Sequence, residues 1–255
     1  MLFYDLETSF SQKRENSLII EIGAIKGDET FHRLVNPLRG RTLREALRGQ
    51  STPKTMRWWR KLLREKGYDV SSMEEIEGLL HTFTPQGEAV RELMEFAGDA
   101  TWTAHNGAAF DHKIIRPALD LERLPHPKFD DSLHMIRRKF DFHKNSLGFL
   151  YQILFEEGFR AHHALDDAVA LQRVVQECAR RKGVSVKELF VRDVPVDSIS
   201  GIGKATKAKL AKMGIHTAED LLSWVKRNEA EVWREEMSHL HQYRKLGKRL
   251  YKKRW

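Results

Sequence analysis

The chain has 255 residues, a formal net charge of +8 and 41% hydrophobic residues. It is longer than a minimal catalytic domain and apolar enough to build a core, so we expect one main domain followed by a smaller one. No run of about 18 apolar residues occurs and the N-terminus enters a strand at once, so neither a membrane span nor a signal peptide is expected. The single cysteine, Cys178, excludes an internal disulfide. We therefore expect an intracellular protein, cytoplasmic or, in a eukaryote or its virus, nuclear.

The positive charge is concentrated in two zones. Residues 39–66 contain ten Lys and Arg against two Glu, and residues 244–255 contain seven Lys and Arg and no acidic residue. The rest of the chain is therefore net acidic. Basic zones of this kind commonly bind phosphate backbones, although a solvated segment would have the same composition. A nuclear-import signal or a disordered tail would also fit the second zone.

The predicted fold begins with an antiparallel meander. Strands are predicted at 2–7, 18–25 and 30–35. In the first of them Asp5 and Glu7 are two residues apart, so alternation points both carboxylates to one face. Two neighbouring oxygen ligands suit a hard divalent cation such as Mg²⁺ or Mn²⁺. An Asp-x-Glu pair at a solvated strand end would have the same pattern.

Residues 39–85 form a basic helical insertion in the predicted fold. Within it, residues 53–63 predict a helix with one apolar and one basic face. Nucleic acid bases can stack on Trp58 or Trp59. We favour packing as the role of both, because paired tryptophans at helical spacing more often belong to a core.

Strands and helices alternate after the insertion. Strands are predicted at about 100–105 and 127–131, and helices at about 88–97, 108–120, 132–139, 146–157 and 165–182. Together with the meander they predict an α/β fold, a mixed sheet with helices on both faces. Asp111 falls at the opening of one helix, where the helix dipole also favours an ordinary acidic residue.

The most specific local pattern is His162-His163-Ala164-Leu165-Asp166-Asp167-Ala168. Its histidines fall in a loop, and Asp167 falls in the first turns of a helix with an apolar stripe. A histidine here can take a proton from an attacking water near neutral pH, and the carboxylate can supply a further oxygen ligand. A surface histidine beside an acidic helix start would look the same, and His163 and Asp166 are near-duplicates.

Taken together, these segments resemble the DnaQ-like, or DEDDh, 3′-to-5′ exonuclease superfamily. Its pattern is Asp-x-Glu, then a segment that runs from Asn to Asp, then His-x-Ala-x-x-Asp. This chain has Asp5-Leu6-Glu7, Asn106-Gly107-Ala108-Ala109-Phe110-Asp111 and the His162 segment in that order. The resemblance covers about residues 1–183. The third pattern pairs His162 with Asp167, since His163 would not place alanine at the third position.

The resemblance implies a ribonuclease H-like fold and phosphodiester hydrolysis by two metal ions. Two Mg²⁺ or Mn²⁺ ions would be held by Asp5, Glu7, Asp111 and Asp167, with His162 as the general base. The products would be nucleoside 5′-monophosphates. Asn106 and Phe110 would order or stack on the terminal nucleotide, or only support the site. Because clustered carboxylates repel one another, a metal-free site should bind cations avidly or take up protons.

A second pattern lies in residues 197–225. The segments Ile199-Ser200-Gly201-Ile202-Gly203-Lys204 and Gly214-Ile215-His216-Thr217 resemble the helix-hairpin-helix family. This implies a small all-α domain at 197–243, between a linker at 184–196 and the basic tail. Glycines let the backbone approach a phosphate at a helix N-terminus. The expected contacts are Gly201, Gly203, Lys204 and Lys207. Pro195 leaves little room for a full first helix, and some members of that family bind proteins instead.

The sequence therefore predicts a 3′-to-5′ exonuclease. DNA is the favoured polymer, because the resemblance of the hairpin module implies phosphate contacts with DNA. An exoribonuclease is the first alternative, since the same catalytic residues serve both polymers. A replication scaffold or nucleic-acid-binding protein with a vestigial nuclease site is the second. We further expect a protein partner in replication or repair and no membrane partner.

Overall fold

The computed structural model describes residues 1–9, 17–47, 52–191, 195–199, 201–218, 220–221 and 224. The chain divides into two compact units, residues 1–190 and residues 191–255. Within the described ranges, no helix has both the length and the apolar character that crossing a membrane requires.

The first unit is built on a mixed sheet of six strands. The strands are β1 Leu2–Thr8, β2 Ile19–Lys26, β3 Glu29–Asn36, β4 Thr84–Pro85, β5 Trp102–Ala104 and β6 Phe129–Asp131. Their order in the sheet is β4-β3-β2-β1-β5-β6. The pairs β1–β2 and β2–β3 are antiparallel, whereas β1–β5, β5–β6 and β3–β4 are parallel. The predicted meander is confirmed.

The helices of this unit have bounds close to the predicted ones, with two differences. They are α1 Leu43–Ala46, α2 Thr52–Glu65, α3 Met73–Leu80, α4 Gln86–Ala97, α5 Asp111–Leu121, α6 Ser132–Lys139, α7 Leu147–Phe155, α8 Ala164–Lys182 and α9 Val186–Phe190. α5 begins three residues later than predicted, because Asn106 has a left-handed φ of 62° and starts a turn. The segment predicted as a linker begins with α9, and Leu189 anchors this helix in the core of the first unit.

Helices cover both faces of the sheet. On one face, Leu2, Tyr4 and Leu6 of β1 pack with apolar residues of α4 and α5. On the other face, Phe3 packs with apolar residues of α6, α7 and α8, among them the buried Cys178. The alternation of side chains along β1 therefore serves two cores, and the predicted α/β arrangement is confirmed.

The insertion has a core of its own. Its buried side chains come from α1, α2, α3 and the loops between them, and they pack on Leu18 and Ile20 beside β2. Trp59 is fully buried in this cluster, as the packing interpretation predicts. The insertion is therefore an additional layer that packs on the sheet at the start of β2.

The second unit has a small core around a short helix. A turn of 3-10 helix at Val196–Ser198 precedes α10, Lys204–Lys212. The buried residues are Val196, Ile199, Ile202, Leu210, Ile215, Ala218 and Leu221. Pro195 forms an isolated antiparallel bridge with Thr217, and only a single helical turn follows it. The end of the predicted all-α domain, from residue 225, and the basic tail at 244–255 lie outside the described residues.

The N-terminus of α8 lies directly on β2 at Gly23. A Cβ atom at this position would overlap the carbonyl carbon of Ala164 and the amide nitrogen of Leu165, both in the backbone of α8. Backbone atoms in a helix cannot swing aside as a flexible side chain can. Gly23 therefore sets how closely the first turn of α8 approaches the sheet.

We predict that Gly23→Ala destabilises the first unit by about 1–3 kcal/mol, the usual cost of overpacking a core. The midpoint of urea unfolding, followed by tryptophan fluorescence, measures the change. Gly78→Ala is the matched control, because Gly78 lies exposed within α3 with no atom near its added Cβ. That control should gain about 0.5–1 kcal/mol from helix propensity. Equal midpoints for Gly23→Ala and the wild type would contradict the close contact.

Candidate active site

Two carboxylates of β1 and one of α8 converge at the end of the sheet. Asp5 and Glu7 lie on the same side of β1, on either side of the buried Leu6. One carboxylate oxygen from each of Asp5, Glu7 and Asp167 lies within 4.8 Å of the other two. Oxygen donors at this spacing suit a hard cation such as Mg²⁺ or Mn²⁺. The residues therefore fit a site for divalent metal.

The loop before α8 links His162 to this cluster. The backbone N–H of His162 donates a hydrogen bond of 2.8 Å to Oδ2 of Asp167. His162 has a φ of 68°, in the left-handed region that costs non-glycine residues of order 1 kcal/mol. Backbone strain of this kind persists only where surrounding contacts enforce it, and it concentrates at functional sites. The structure thus places His162 beside Asp167, as the spacing of the third pattern predicts.

Asp111 lies next to this cluster but outside the group of three. It is the first residue of α5, and its side chain is nearly fully buried. Its Oδ1 accepts a hydrogen bond of 3.2 Å from the backbone N–H of Leu6, the residue between Asp5 and Glu7. Asp111 therefore faces β1 from the helix N-terminus, where its charge is favoured.

A buried hydrogen-bond chain holds the start of α5 on β1. The Nε2 of His112 lies 3.0 Å from the carbonyl oxygen of Asp130, so this nitrogen carries the proton and donates. The hydroxyl of Tyr4 then donates to Nδ1 of His112 over 2.7 Å. Burial lowers the pKa of His112 to about 4, which keeps the ring neutral. Gly107 leaves room for this ring, since a Cβ there would overlap the imidazole.

Burial raises the pKa of every carboxyl in the cluster. The loss of solvation is the largest cause at each group, and repulsion from neighbouring carboxylates adds to it. The pKa rises to about 7 for Glu7 and Asp111 and to about 6 for Asp167, and it lies well above its usual range for Asp5. This agrees with the proton uptake expected of a metal-free carboxylate cluster.

The cluster opens into a pocket of about 320 Å³. Its lining consists of Asp5, Leu6, Glu7, Thr8, Ser9, Trp58, Phe110, His162 and Asp167. Trp58 is half-buried and meets the ring of Trp59 edge-on, with 5.5 Å between ring centroids. The sequence favours a packing role for both tryptophans. The structure places Trp58 in the pocket lining as well, so its ring also offers an aromatic surface to the pocket.

The other predicted contact residues do not share this pocket. Asn106 is exposed, and its carbonyl oxygen accepts hydrogen bonds from the N–H groups of Ala109 and Phe110, so it shapes the turn before Asp111. The predicted phosphate contacts belong to the second unit. There Gly201 has a φ of 94°, Gly203 precedes the first turn of α10, and Lys207 forms an ion pair with Asp197.

A mixed sheet with helices on both faces and a carboxylate cluster beside a histidine defines a protein of the DnaQ-like exonuclease class. A family model described as the 3′-5′ exoribonuclease Rv2179c-like domain matches residues 1–179, and the chain belongs to this family. No curated protein matches the chain.

Solved structures of exonuclease I have the same fold. One is 14% identical with a TM-score of 0.51, over 82% of this chain and 45% of that one. E. coli exonuclease I in complex with a dA16 oligonucleotide is 14% identical with a TM-score of 0.50, over 82% and 45%. The complex with a 5cy-dT13 oligonucleotide has the same identity and TM-score, over 74% and 41%. The chain thus spans less than half of these proteins, and the likeness confirms the ribonuclease H-like architecture.

We predict that Asp111→Asn stabilises the metal-free protein relative to the wild type, increasingly so from pH 5 to pH 8. The folded wild type binds a proton at Asp111 up to about pH 7, whereas the unfolded chain releases it near pH 4. The wild type therefore loses stability as the pH rises through this range, and the Asp111→Asn variant does not. Neutral His112 contributes the opposite slope in both proteins and cancels in the difference, which reports Asp111 together with its effect on the pKa of Asp5. Thermal midpoints in a chelator measure it, and a constant difference would contradict the raised pKa.

Proposed function

We propose that this protein is a metal-dependent 3′-to-5′ exonuclease that hydrolyses nucleic acid to nucleoside 5′-monophosphates. The convergence of Asp5, Glu7 and Asp167 within 4.8 Å is the observation that carries the proposal. His162 lines the same pocket and supplies the base that hydrolysis requires. Membership of residues 1–179 in a 3′-5′ exonuclease family supports the reaction class.

The carboxylate cluster would hold two Mg²⁺ or Mn²⁺ ions through Asp5, Glu7 and Asp167, with Asp111 beside them. Burial has removed the water that solvates these carboxylates, and a cation restores the missing stabilisation. When bound, such ions polarise the phosphate and lower the pKa of a water molecule. The four acidic residues would therefore hold the cations, and the cations would neutralise the charge of the carboxylates.

His162 would take the proton from the attacking water. The hydrogen bond from its backbone N–H to Asp167 fixes the position of the proposed general base relative to a proposed metal ligand. The imidazole lies at the exposed rim of the pocket, where it can pass the proton on to solvent.

The pocket fits the end of a single strand. A volume of about 320 Å³ lies at the lower end of small-ligand sites, and it suits one terminal nucleotide and not a duplex. The rings of Trp58 and Phe110 provide apolar faces on which a base can stack. We assign both side chains to the 3′-terminal nucleotide.

The basic face of α2 extends from Trp58 and would carry the next phosphates. Arg57, Lys61 and Arg64 are exposed and recur at helical spacing on one side of the helix. Trp58 lies on the border between this face and the buried one. A strand whose last base is on Trp58 would therefore have cations along its upstream backbone.

DNA is the first candidate polymer and RNA the second. The second unit favours DNA, because Gly201, Gly203, Lys204 and Lys207 match the phosphate-binding pattern of helix-hairpin-helix modules. The description of the family favours RNA, and it covers the catalytic unit. Digestion of matched single-stranded and duplex DNA and RNA oligomers decides between them. A preference for RNA of about tenfold or more, equivalent to ~1.4 kcal/mol in the barrier, would overturn the DNA proposal.

We predict that Asp5→Asn abolishes Mg²⁺-dependent cleavage and leaves nucleic acid binding largely intact, because it removes a metal ligand but no part of the basic surfaces. A gel assay on a labelled oligomer measures cleavage, and fluorescence anisotropy measures binding. Asp28→Asn, in the exposed turn between β2 and β3, is the control and should cleave as the wild type does. Cleavage by Asp5→Asn at the wild-type rate would show that the site is wrongly assigned.

We predict that Trp58→Ala raises KM for an oligomer by about tenfold, the loss expected when one base can no longer stack. kcat should change less, since Trp58 would contact the base and takes no part in the proton transfer. Trp58→Phe keeps an aromatic face and should stay much closer to the wild type. An unchanged KM for Trp58→Ala together with a lower unfolding midpoint would show that the ring serves packing alone.

A further inference from the structure

Lys66 has a buried ammonium group directly behind the carboxylate cluster. It follows α2, and its side chain and that of its ion-pair partner Glu21 are each only 3% exposed. A lysine is almost never this buried unless a partner compensates the lost solvation. Each member of the pair therefore needs the other to stay buried. Neither belongs to the group of three carboxylates, Asp5, Glu7 and Asp167.

Glu21 receives donors from three separate parts of the fold. It lies opposite Glu7 in the register of β1 and β2. One oxygen accepts from Nε2 of His32 at 2.7 Å and the other from Lys66, and the backbone N–H of Ala164 is a third donor. Burial alone would raise the pKa of Glu21, but these hydrogen bonds outweigh it and lower the pKa. Glu21 thus stays ionised and fixes the first residue of α8 to β2.

Lys66 also reaches the loop that carries the general base. Its Nζ lies 3.4 Å from the carbonyl oxygen of His162. A second contact joins the same two segments, since a guanidinium nitrogen of Arg160 lies 3.3 Å from the carbonyl oxygen of Glu65. The end of α2 is therefore tied at two points to the loop at residues 160–162, whose strained backbone needs such support.

We propose that Lys66 and Glu21 are positioning residues for the proposed nuclease reaction. Lys66 holds the carbonyl of His162, Glu21 holds the N–H of Ala164, and the ion pair between them locks the two anchors together. The loop that carries His162 is then held at the residues on either side of His163, by Lys66 at His162 and by Glu21 at Ala164. Since Trp58 lies on α2 and Lys66 directly follows that helix, the segment that receives the terminal nucleotide also positions the general base.

Three variants test the proposal, which depends on the proposed function for its kinetic readout. Lys66→Met removes the charge and keeps the aliphatic stem, while Glu21→Gln/Lys66→Met removes both charges. Lys187→Met is the matched control, because Lys187 is an exposed lysine on α9. Steady-state cleavage of a labelled oligomer gives kcat and KM. Hydrogen exchange of a peptide that spans residues 157–166 reports on the loop without any need for activity.

Lys66→Met should lower kcat about 10- to 100-fold, with KM within about twofold of the wild type, as for residues that orient catalytic groups through others. Its loop peptide should exchange faster. The double variant should recover stability, because it leaves no unpaired carboxylate buried. Its kcat should stay below that of the wild type, since it too lacks the contact to His162. Lys187→Met should match the wild type in both measurements.

Wild-type kcat and exchange in Lys66→Met would overturn the proposal. A raised KM with unchanged kcat would also overturn it, since Lys66 would then hold substrate and not the loop. If Lys66→Met does not fold, the double variant decides by the same two measurements. An inactive wild type would refute the proposed nuclease function, and the exchange of the loop peptide would still decide whether Lys66 anchors it.

Discussion

The close approach of α8 to β2 is the contact on which the site depends. Asp167 lies in the first turn of that helix, and it reaches the carboxylates of β1 because Gly23 offers no side chain to hold the helix away. The same approach brings the N–H of Ala164 within reach of Glu21. Carboxylates from distant parts of the chain therefore meet through a backbone-to-backbone contact, and the position of the loop that carries His162 depends on that contact.

The clustered carboxylates lower the stability of the metal-free fold. Carboxylates that lose their water and face one another raise the free energy of the metal-free fold, and their raised pKa values express that cost. Part of the cost is offset locally by the N–H groups that bond Asp111 and Asp167 and by the positive charge of Lys66, which opposes the rise at Glu7. A bound cation would offset the rest, and under the proposed function metal binding and folding of this region would be coupled.

Local patterns in the sequence indicated the residues that the structure brings together in the carboxylate cluster. Alternation places Asp5 and Glu7 on one face of a strand, and the spacing of His162 and Asp167 reflects one loop and one helical turn. These are short-range relations, so they survive without knowledge of the tertiary fold. The order of the meander follows in the same way from short strands separated by turns.

Relations across the insertion could not be predicted. Lys66 and Glu21 are 45 residues apart, and their pairing depends on how α2 docks on the sheet. Trp59 enters the core as the packing interpretation predicts, whereas the position of Trp58 at the pocket depends on that docking and does not follow from helical spacing. The start of α5 was predicted three residues early, because helical periodicity does not reveal the left-handed turn at Asn106.

The insertion has its own hydrophobic core, so its outer surface can change separately from the sheet that carries the carboxylates. Substitutions on the outer face of α2 can alter which strands are bound without disturbing the packing of the sheet, because Trp59 and its neighbours form a distinct cluster. The carboxylates of the cluster lie on β1, α5 and α8, so such substitutions leave them in place. Under the proposed function, the substrate range could then change while the chemistry stays the same, provided that Lys66 keeps its buried partner Glu21.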